Sequence, residues 1–158
     1  MTKQLNRLTK PEYACLLALS ASLRSVDPHT KVGCAAFSKD GRTIGTSYNG
    51  LAPGMDVADW MYLQENRKKK ALLFHHAEAN LFLHISGEKP HILGLTHSPC
   101  TSCEKIIAAS STKEIYYLKE YAGSDGDWKT ILDFYGVSHS KIEYNNIKNY
   151  LNNVWENF

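Results

Sequence analysis

Residues 75–103 read HHAEANLFLHISGEKPHILGLTHSPCTSC, and this stretch carries two short motifs that bear on both fold and chemistry. The first is His76-Ala77-Glu78, and the second is Pro99-Cys100-Thr101-Ser102-Cys103. Each motif opens a segment with helical periodicity, and a short apolar run typical of a strand lies between the two helices. The order helix, strand, helix is typical of a layered α/β fold, in which functional groups gather at the carboxyl ends of strands.

Cys100 and Cys103 are spaced as two ligands of one metal ion. On a helix, positions i and i+3 lie on one face, and the helix N-terminus favours the thiolate form of cysteine. Zinc prefers sulfur and nitrogen ligands, and a catalytic zinc keeps three protein ligands and one open position. We expect His76 to be the third ligand because Glu78 follows it by two positions, whereas the neighbouring His75 has no glutamate at that spacing.

The spacing of His76 and Glu78 makes a further prediction. Residues two apart on a regular helix point to nearly opposite sides, so both can face one cavity only in an irregular first turn. There Glu78 is expected to act as general base and acid beside the metal rather than as a ligand. H-x-E followed by P-C-x-x-C is the signature of zinc nucleobase deaminases. The alternative is a structural zinc that recruits Cys15 or Cys34, although both have the pattern of core residues.

Hydrophobic periodicity predicts alternating helices and strands along the chain. Predicted helices cover residues 11–25, 76–84, 100–110, 128–135 and 147–155, and predicted strands cover 32–37, 43–48, 92–96, 114–118 and 141–144. Residues 39–41 are predicted to form the turn of a hairpin, 49–59 a loop, 60–74 a helix of mixed periodicity, and 123–126 a further turn. The predicted fold class is α/β, a three-layer α/β/α sandwich with a mixed central sheet of about five strands, and residues 1–158 are expected to form a single domain.

Composition narrows the classes of protein that are compatible with the sequence. The chain has 158 residues, a formal net charge of +2, 43% hydrophobic and 22% charged residues. No stretch is long and apolar enough to span a bilayer, and the N-terminal residues have no secretory-signal pattern, so we expect a cytoplasmic protein whose cysteines are thiols or metal ligands. The basic run Arg67-Lys68-Lys69-Lys70 is typical of a solvated helix face, with a phosphate-attracting patch as the alternative.

From about residue 11 to about residue 136, the chain resembles the deoxycytidylate (dCMP) deaminase family of the cytidine deaminase superfamily. SVDPHTKVG at residues 25–33 is similar to the family's S-x-D-P-x-T-x-V-G stretch, and SYNG at 47–50 is similar to its G-Y-N-G loop. THSPC at 96–100 completes the pattern. The resemblance implies a cytidine deaminase-like fold, a Zn²⁺ cofactor, and hydrolytic deamination of dCMP to dUMP with release of ammonia.

The resemblance also implies which residues bind the substrate. They are Asn49, Ala77, Ser98, Arg24, Ser25 and Lys31. The backbone N–H of Ala77, together with that of Glu78, is expected to meet the base carbonyl, the backbone C=O of Ser98 to accept from the exocyclic amine, and Asn49 to hold the base or the sugar. The three candidates for binding the phosphate are Arg24, Ser25 and Lys31, which flank the turn at Asp27. The alternative for Arg24 and Lys31 is that they are ordinary surface charges.

The expected partners follow from the same resemblance. The substrate is a small-molecule cytosine deoxynucleotide, and such deaminases are usually homo-oligomers, often hexamers. A dCTP or dTTP effector binds near the G-Y-N-G loop in the family. Ser47 replaces the first glycine of that loop here, so the resemblance leaves open whether an effector regulates this protein. We expect no membrane and no nucleic-acid partner.

Three alternatives to the deamination of dCMP stay open. The first is a deaminase of dCTP, cytidine or a modified dCMP. The second is a nucleic-acid-editing deaminase, which needs a basic aromatic-lined channel, and the third is a non-catalytic zinc module.

Overall fold

The computed structural model describes residues 7–122 and 128–157, which contain one mixed sheet and its covering helices. The helices are α1 (Lys10–Ser22), α2 (Arg67–Ala71), α3 (Ala77–His84), α4 (Thr101–Ala109), α5 (Lys129–Phe134) and α6 (Tyr144–Trp155), and the strands are β1 (Gly33–Phe37), β2 (Thr43–Tyr48), β3 (Ile92–His97), β4 (Glu114–Lys119) and β5 (Ser138–Lys141). The strand order is β2-β1-β3-β4-β5. β1 is antiparallel to β2 and β3, and β4 is parallel to β3 and β5. The predicted α/β class and five-stranded mixed sheet are confirmed. Among the described helices, none has the length and apolar character needed to cross a membrane.

α1 begins at a capping box formed by Thr9 and Glu12. The Thr9 hydroxyl accepts a hydrogen bond from the Glu12 N–H, and the Glu12 carboxylate accepts one from the Thr9 N–H at 2.8 Å, which completes a capping box. Pro11 lies in the first turn, where its missing N–H leaves no intrahelical bond unmade. The helix ends at Ser22 rather than at the predicted Ser25, because the N–H groups that follow bond to carbonyls three residues back and close the helix with turns.

Side chains of the central strands alternate between the two faces of the sheet. The larger core, on the side of α3, α4 and α5, contains Cys34, Ala36, Leu93, Leu95, Leu81, Ile107 and Leu132. On the other face, Ala35 and Phe37 of β1 pack with Ala14 and Ala18 of α1. Burial on both faces explains why β1 and β3 are continuous apolar runs rather than alternating ones. Helices therefore cover both faces, and the three-layer arrangement is confirmed.

Two glycines let α1 approach the sheet closely. A Cβ atom at Gly94 of β3 would lie 2.3 Å from the backbone carbonyl atoms of Ala14, and one at Gly33 of β1 would lie 1.9 Å from the carbonyl oxygen of Ala18. Neither distance is compatible with a side chain, so these strand glycines are required by the packing of α1.

The segment 60–74 differs from its predicted helix. It consists of two 3₁₀ turns, Asp59–Tyr62 and Gln64–Asn66, followed by the short helix α2. Neither turn has a side-chain cap on its N-terminal N–H groups, and without caps or a continuous apolar face a longer helix is not stabilised.

The last strand also differs from its prediction. The prediction placed it at 141–144, whereas β5 spans Ser138–Lys141 and pairs with β4 from Glu114 opposite Ser138. Pairing with β4 determines this register, and α6 begins at Tyr144. The turn predicted at 123–126 lies outside the described residues.

The topology brings several loops to one edge of the sheet. β1 runs antiparallel to both β2 and β3, so the start of β1 lies beside the ends of β2 and β3, and the end of β4 lies beside that of β3. The segments that precede β1 and follow β2, β3 and β4 therefore meet at this edge. The N-termini of α3 and α4 point to the same place, and together they form a pocket.

Candidate active site

Three potential metal ligands meet at the N-termini of α3 and α4. His76 is the N-cap residue of α3, Cys100 is the N-cap residue of α4, and Cys103 lies in the first turn of α4. The Nδ1 atom of His76 lies 3.3 Å from the Sγ atom of each cysteine. All three ligand atoms lie within 4.8 Å of one another, so one ion can reach them all at zinc-ligand bond lengths of about 2.0–2.3 Å.

The other cysteines and the neighbouring histidine stand apart from this trio. Cys15 is buried in α1 and Cys34 in β1, as their core pattern predicts. The backbone of His75 is paired with that of Gly50, with N–H···O distances of 2.8 Å and 3.1 Å. Across residues 7–122 and 128–157, the cluster of metal-type ligands contains His76 and the two cysteines of α4 alone. Two thiols and one imidazole beside an open pocket fit a three-ligand zinc site.

Hydrogen bonds within the trio set the protonation of its members. Bonds from Cys103 and His76 lower the pKa of Cys100 to about 4, so Cys100 is a thiolate at neutral pH. The hydrogen bond to Cys100, together with burial, raises the pKa of Cys103, and the bond to Cys100 raises that of His76. A preformed thiolate next to two groups that can release a proton is well suited to bind a dication.

Glu78 is the second residue of α3, and its side chain is buried in the pocket wall. His76 has extended backbone angles of φ −71° and ψ 153°, and it is this irregular start that lets both residues line one pocket, as their spacing predicts. Burial raises the pKa of Glu78 against the opposing effects of its own N–H and of His76. A carboxyl group with a raised pKa can both accept and return a proton near neutral pH.

A pocket opens to solvent beside the trio. Of the predicted substrate residues, Asn49, Ala77 and Ser98 line it. Ala77 is the first residue of α3, so its N–H has no partner within the helix by position. Three groups suited to a polar ligand therefore face the same space as Glu78.

The other three predicted substrate residues do not line the pocket. Arg24 is exposed, and the Lys31 Nζ donates to the backbone carbonyl of Ser25. The Ser25 hydroxyl lies 2.7 Å from the Asn49 Oδ1 and 2.9 Å from its backbone oxygen. In this structure Ser25 supports Asn49, and Lys31 braces the segment before β1 through its bond to Ser25.

Asn49 connects that segment to the end of β2. Its Oδ1 accepts from the Ser25 hydroxyl at 2.7 Å and from the Val32 N–H at 2.8 Å. Its Nδ2 donates to the Thr30 carbonyl at 2.9 Å and to the Asp27 carboxylate at 3.2 Å. Asn49 thus stabilises the pocket wall through both the oxygen and the nitrogen of its side-chain amide.

Two residues that the sequence analysis did not assign to the site come from α2. Arg67 and Lys70 line the pocket, although their basic run was interpreted as a solvated helix face. That interpretation is right for Lys68 and Lys69, which are exposed, and wrong for Lys70, which is 4% exposed. Arg67 is exposed as predicted, but it also lines the pocket. The available signal was the i, i+3 spacing of Arg67 and Lys70, which places them on one side of a helix.

His97 and Tyr121 line the pocket as well. Burial, together with the nearby charge of Lys119, lowers the pKa of His97, so its ring is neutral at pH 7. The Tyr121 N–H donates to the Ser98 hydroxyl at 2.8 Å. No motif contains both residues; they are brought together because β3 and β4 are parallel neighbours whose ends meet at this edge.

Comparison with known proteins supports a zinc site at this position. Residues 8–119 match the family described as the cytidine and deoxycytidylate deaminase zinc-binding region. The chain belongs to this zinc-binding deaminase family. The resemblance inferred from the motifs is confirmed, and the soft nitrogen and sulfur donors of the trio match the metal of the family.

Relatives of this deaminase-family chain include cellular and phage proteins. It is 31% identical over 115 residues to a probable deoxycytidylate deaminase of Caenorhabditis elegans, a match that covers 71% of this chain and 58% of that protein. It is 32% identical over 126 residues to the deoxycytidylate deaminase of Mycobacterium phage D29, covering 69% of this chain and 94% of the relative. The chain therefore spans little more than half of the nematode protein and nearly all of the phage protein.

A solved structure has the same fold. The dCMP deaminase of the cyanophage S-TIM5, in complex with dCMP and dUMP, superposes with a TM-score of 0.62 at 26% identity. The match covers 84% of this chain and 93% of the cyanophage chain. The cytidine deaminase-like architecture is thus confirmed over most of the described residues.

Proposed function

We propose that this chain is a zinc-dependent hydrolase that converts dCMP to dUMP and releases ammonia. One observation carries the proposal: the buried Glu78 lines the same pocket as His76 and Cys100, which form a three-ligand cluster with Cys103. The names of the relatives support dCMP as the substrate, since the nematode, mycobacteriophage and cyanophage proteins are all named as deaminases of this nucleotide. In this proposal residues 1–158 form one deaminase domain.

His76, Cys100 and Cys103 hold the Zn²⁺ ion in this proposal. When bound there, zinc supplies a Lewis acid that makes water easier to deprotonate. The two thiolates offset the charge of the dication, so proton removal depends on a protein base. Glu78 is that base, because its buried carboxyl group lines the same pocket as His76 and Cys100.

Glu78 moves protons in both directions during the reaction. It takes a proton from the attacking water as a C–O bond forms at ring carbon 4 of cytosine, and it delivers this proton to ring nitrogen 3. The second proton comes from the new hydroxyl group on carbon 4 and passes through the same carboxyl group to the amine. The C–N bond then breaks, the C=O bond of uracil forms, and ammonia leaves. The raised pKa of Glu78 suits this exchange, since a group with a pKa closer to neutral both accepts and donates readily.

Three pocket residues orient the cytosine nucleotide. The Ala77 N–H donates to the base carbonyl, the Ser98 C=O accepts from the exocyclic amine, and Asn49 contacts the base or the sugar. Their positions in the pocket lining support this assignment. The neutral ring of His97, next to Ser98 in sequence, adds a wall without a net charge.

We also propose that the protein is a cytoplasmic homo-oligomer that acts in nucleotide metabolism. In this proposal dCTP or dTTP binds to it as an effector. Exposed apolar side chains support self-association, among them Leu72 at 85% and Phe134 at 82% exposure. The loop at the end of β2, where the family binds its effector, is joined to the catalytic helix, since the Ser47 hydroxyl donates to the Ala77 carbonyl at 2.6 Å.

The Glu78→Gln variant tests the mechanism. We expect ammonia release from dCMP to fall by about 100-fold or more, with zinc still bound at one ion per chain, because the amide cannot exchange protons. Glu88→Gln is the matched control, since Glu88 is an exposed residue that does not line the pocket. Near-normal turnover by the Glu78 variant would rule out its role in proton transfer.

A substrate panel tests the nucleotide assignment. Wild-type protein is assayed with dCMP, dCTP, deoxycytidine, cytidine and 5-methyl-dCMP, and dCMP is expected to have the highest kcat/KM. A higher value for another compound would replace dCMP as the substrate. Single-stranded DNA serves as a negative control, and tight, salt-sensitive binding of it would favour a nucleic-acid-editing enzyme instead.

A further inference from the structure

α2 directs part of its basic surface into the pocket. Arg67 and Lys70, one helical turn apart, both line it. Lys68 and Lys69 do not, and the Lys69 Nζ lies 5.0 Å from the centre of the Trp60 ring. The helix therefore presents two cations to the pocket and two to its outer surface.

Lys70 is neutralised by a carboxylate. Its Nζ lies 2.7 Å and 2.6 Å from the two carboxylate oxygens of Asp27, and both side chains are 5% exposed. The same Nζ lies 4.7 Å from the centre of the Phe74 ring. Because its charge is balanced within the protein, Lys70 anchors α2 and offers little net charge to an anion in the pocket.

Arg67 is in a different situation. Its Nη2 donates to the Thr30 hydroxyl at 3.3 Å, which holds the side chain toward the pocket. In the two ranges that the structure describes, no carboxylate forms an ion pair with Arg67. A guanidinium has five N–H donors, so a single bond to a hydroxyl leaves most of them available. Arg67 therefore brings a full positive charge and free donors to the pocket.

The other basic groups of the lining are imidazoles. His76 belongs to the metal trio, and burial keeps His97 neutral by lowering its pKa. Among the described residues that line the pocket, Arg67 is thus the permanently charged cation that no carboxylate balances.

We propose that Arg67 binds the 5′-phosphate of the substrate and thereby makes the pocket prefer a nucleotide over a nucleoside. The planar guanidinium matches two phosphate oxygens at once, and an ion pair of this kind is stronger than a neutral hydrogen bond. The Lys70–Asp27 pair and the hydroxyl of Thr30 position α2 for this contact. This inference rests on the proposed function, since it requires a cytosine nucleotide in this pocket.

The test compares dCMP with deoxycytidine, which lacks only the phosphate. For the zinc-loaded Arg67→Ala variant we expect kcat/KM for dCMP to fall about 10- to 100-fold, mainly through KM, while kcat/KM for deoxycytidine stays unchanged. Lys68→Ala is the matched control, since it removes one charge from the same helix outside the pocket, and it should change neither value. The kcat/KM of Arg67→Lys for dCMP should lie between the values of wild type and Arg67→Ala, because lysine keeps the charge but cannot make the bidentate contact.

Binding of the product gives a second readout. Calorimetric titration should show that Arg67→Ala weakens binding of dUMP and leaves binding of deoxyuridine unchanged. Equal losses on dCMP and deoxycytidine, or equal losses in Arg67→Ala and Lys68→Ala, would overturn the assignment of Arg67. A wild-type preference for dCMP that survives in Arg67→Ala overturns this assignment alone, whereas a wild-type enzyme with no preference for dCMP overturns the proposed function as well.

Discussion

The Lys70 ammonium bridges both carboxylate oxygens of Asp27, at 2.7 Å and 2.6 Å, across 43 residues of sequence. Asp27 also accepts from the backbone N–H groups of His29 at 2.8 Å and Thr30 at 3.0 Å. This buried pair joins α2 to the segment before β1 and so closes one side of the pocket. We therefore expect both the stability of the protein and the position of α2 to depend on this pair.

Lys70→Met should lower the free energy of unfolding by about 3–5 kcal/mol, because it leaves the Asp27 carboxylate buried without its counter-charge. Denaturant unfolding followed by circular dichroism measures the change. Lys68→Met is the control, since Lys68 is exposed, and it should stay within about 0.5 kcal/mol of wild type. The double variant Asp27→Asn with Lys70→Met should be more stable than Lys70→Met alone. A Lys70→Met protein as stable as wild type would show that the ion pair has no net value.

The same pair should make stability depend on pH in the acid range. Burial raises the pKa of Asp27, but hydrogen bonds from Lys70, His29 and Thr30 outweigh it and hold the pKa below its ordinary value of 3.8. A depressed pKa means that the stabilisation is complete above the unfolded-state pKa and is lost as the pH falls through the folded-state pKa.

We therefore expect the stability difference between wild type and Asp27→Asn to be constant near neutral pH and to shrink below about pH 4. Urea unfolding of both proteins from pH 7 to pH 2.5 measures it. Loss of zinc in acid affects both proteins and cancels in the comparison. A difference that stayed constant down to pH 2.5 would contradict a paired, depressed Asp27.

Zinc content should separate the four cysteines into two classes. Cys100→Ala and Cys103→Ala should each lose stoichiometric zinc, because each removes one of three ligands. Cys15→Ala and Cys34→Ala, both changes in the core, should keep one ion per chain. Elemental analysis of the purified proteins decides between these results. Loss of zinc in Cys15→Ala or Cys34→Ala would favour a structural site with four protein ligands.

Gly94→Ala should destabilise the fold strongly, because its Cβ would lie 2.3 Å from the backbone of Ala14 and force α1 off the sheet. We expect a loss of about 3 kcal/mol or more in the free energy of unfolding. Gly45→Ala in β2 is the matched control, since no heavy atom lies within 4 Å of the added carbon, and it should change stability by less than about 1 kcal/mol. A well-folded Gly94→Ala protein with the stability of wild type would mean that α1 does not pack as described.

The metal trio and its carboxylate could be predicted from sequence because their chemistry depends on short local spacings. Cys100 and Cys103 are one helical turn apart, and His76 and Glu78 face one space only at a helix start, which is where α3 begins. Alternation between helical and strand periodicity was enough to predict the α/β class and the number of strands, because burial imposes those periods on each element separately.

Only the tertiary structure decided which cations reach the pocket. Residues 60–74 have no single period, so their turns and α2 follow from contacts with the rest of the domain, above all from the pairing of Lys70 with Asp27. The position of β5 depended in the same way on its register with β4. Arg24 and Lys31 flank Asp27 in sequence but lie outside the pocket, whereas Arg67 lines it. Features that depend on the spacing of neighbouring residues can be predicted from the sequence. The pairing of buried charges and of strands cannot, because it depends on distant residues that only folding brings together.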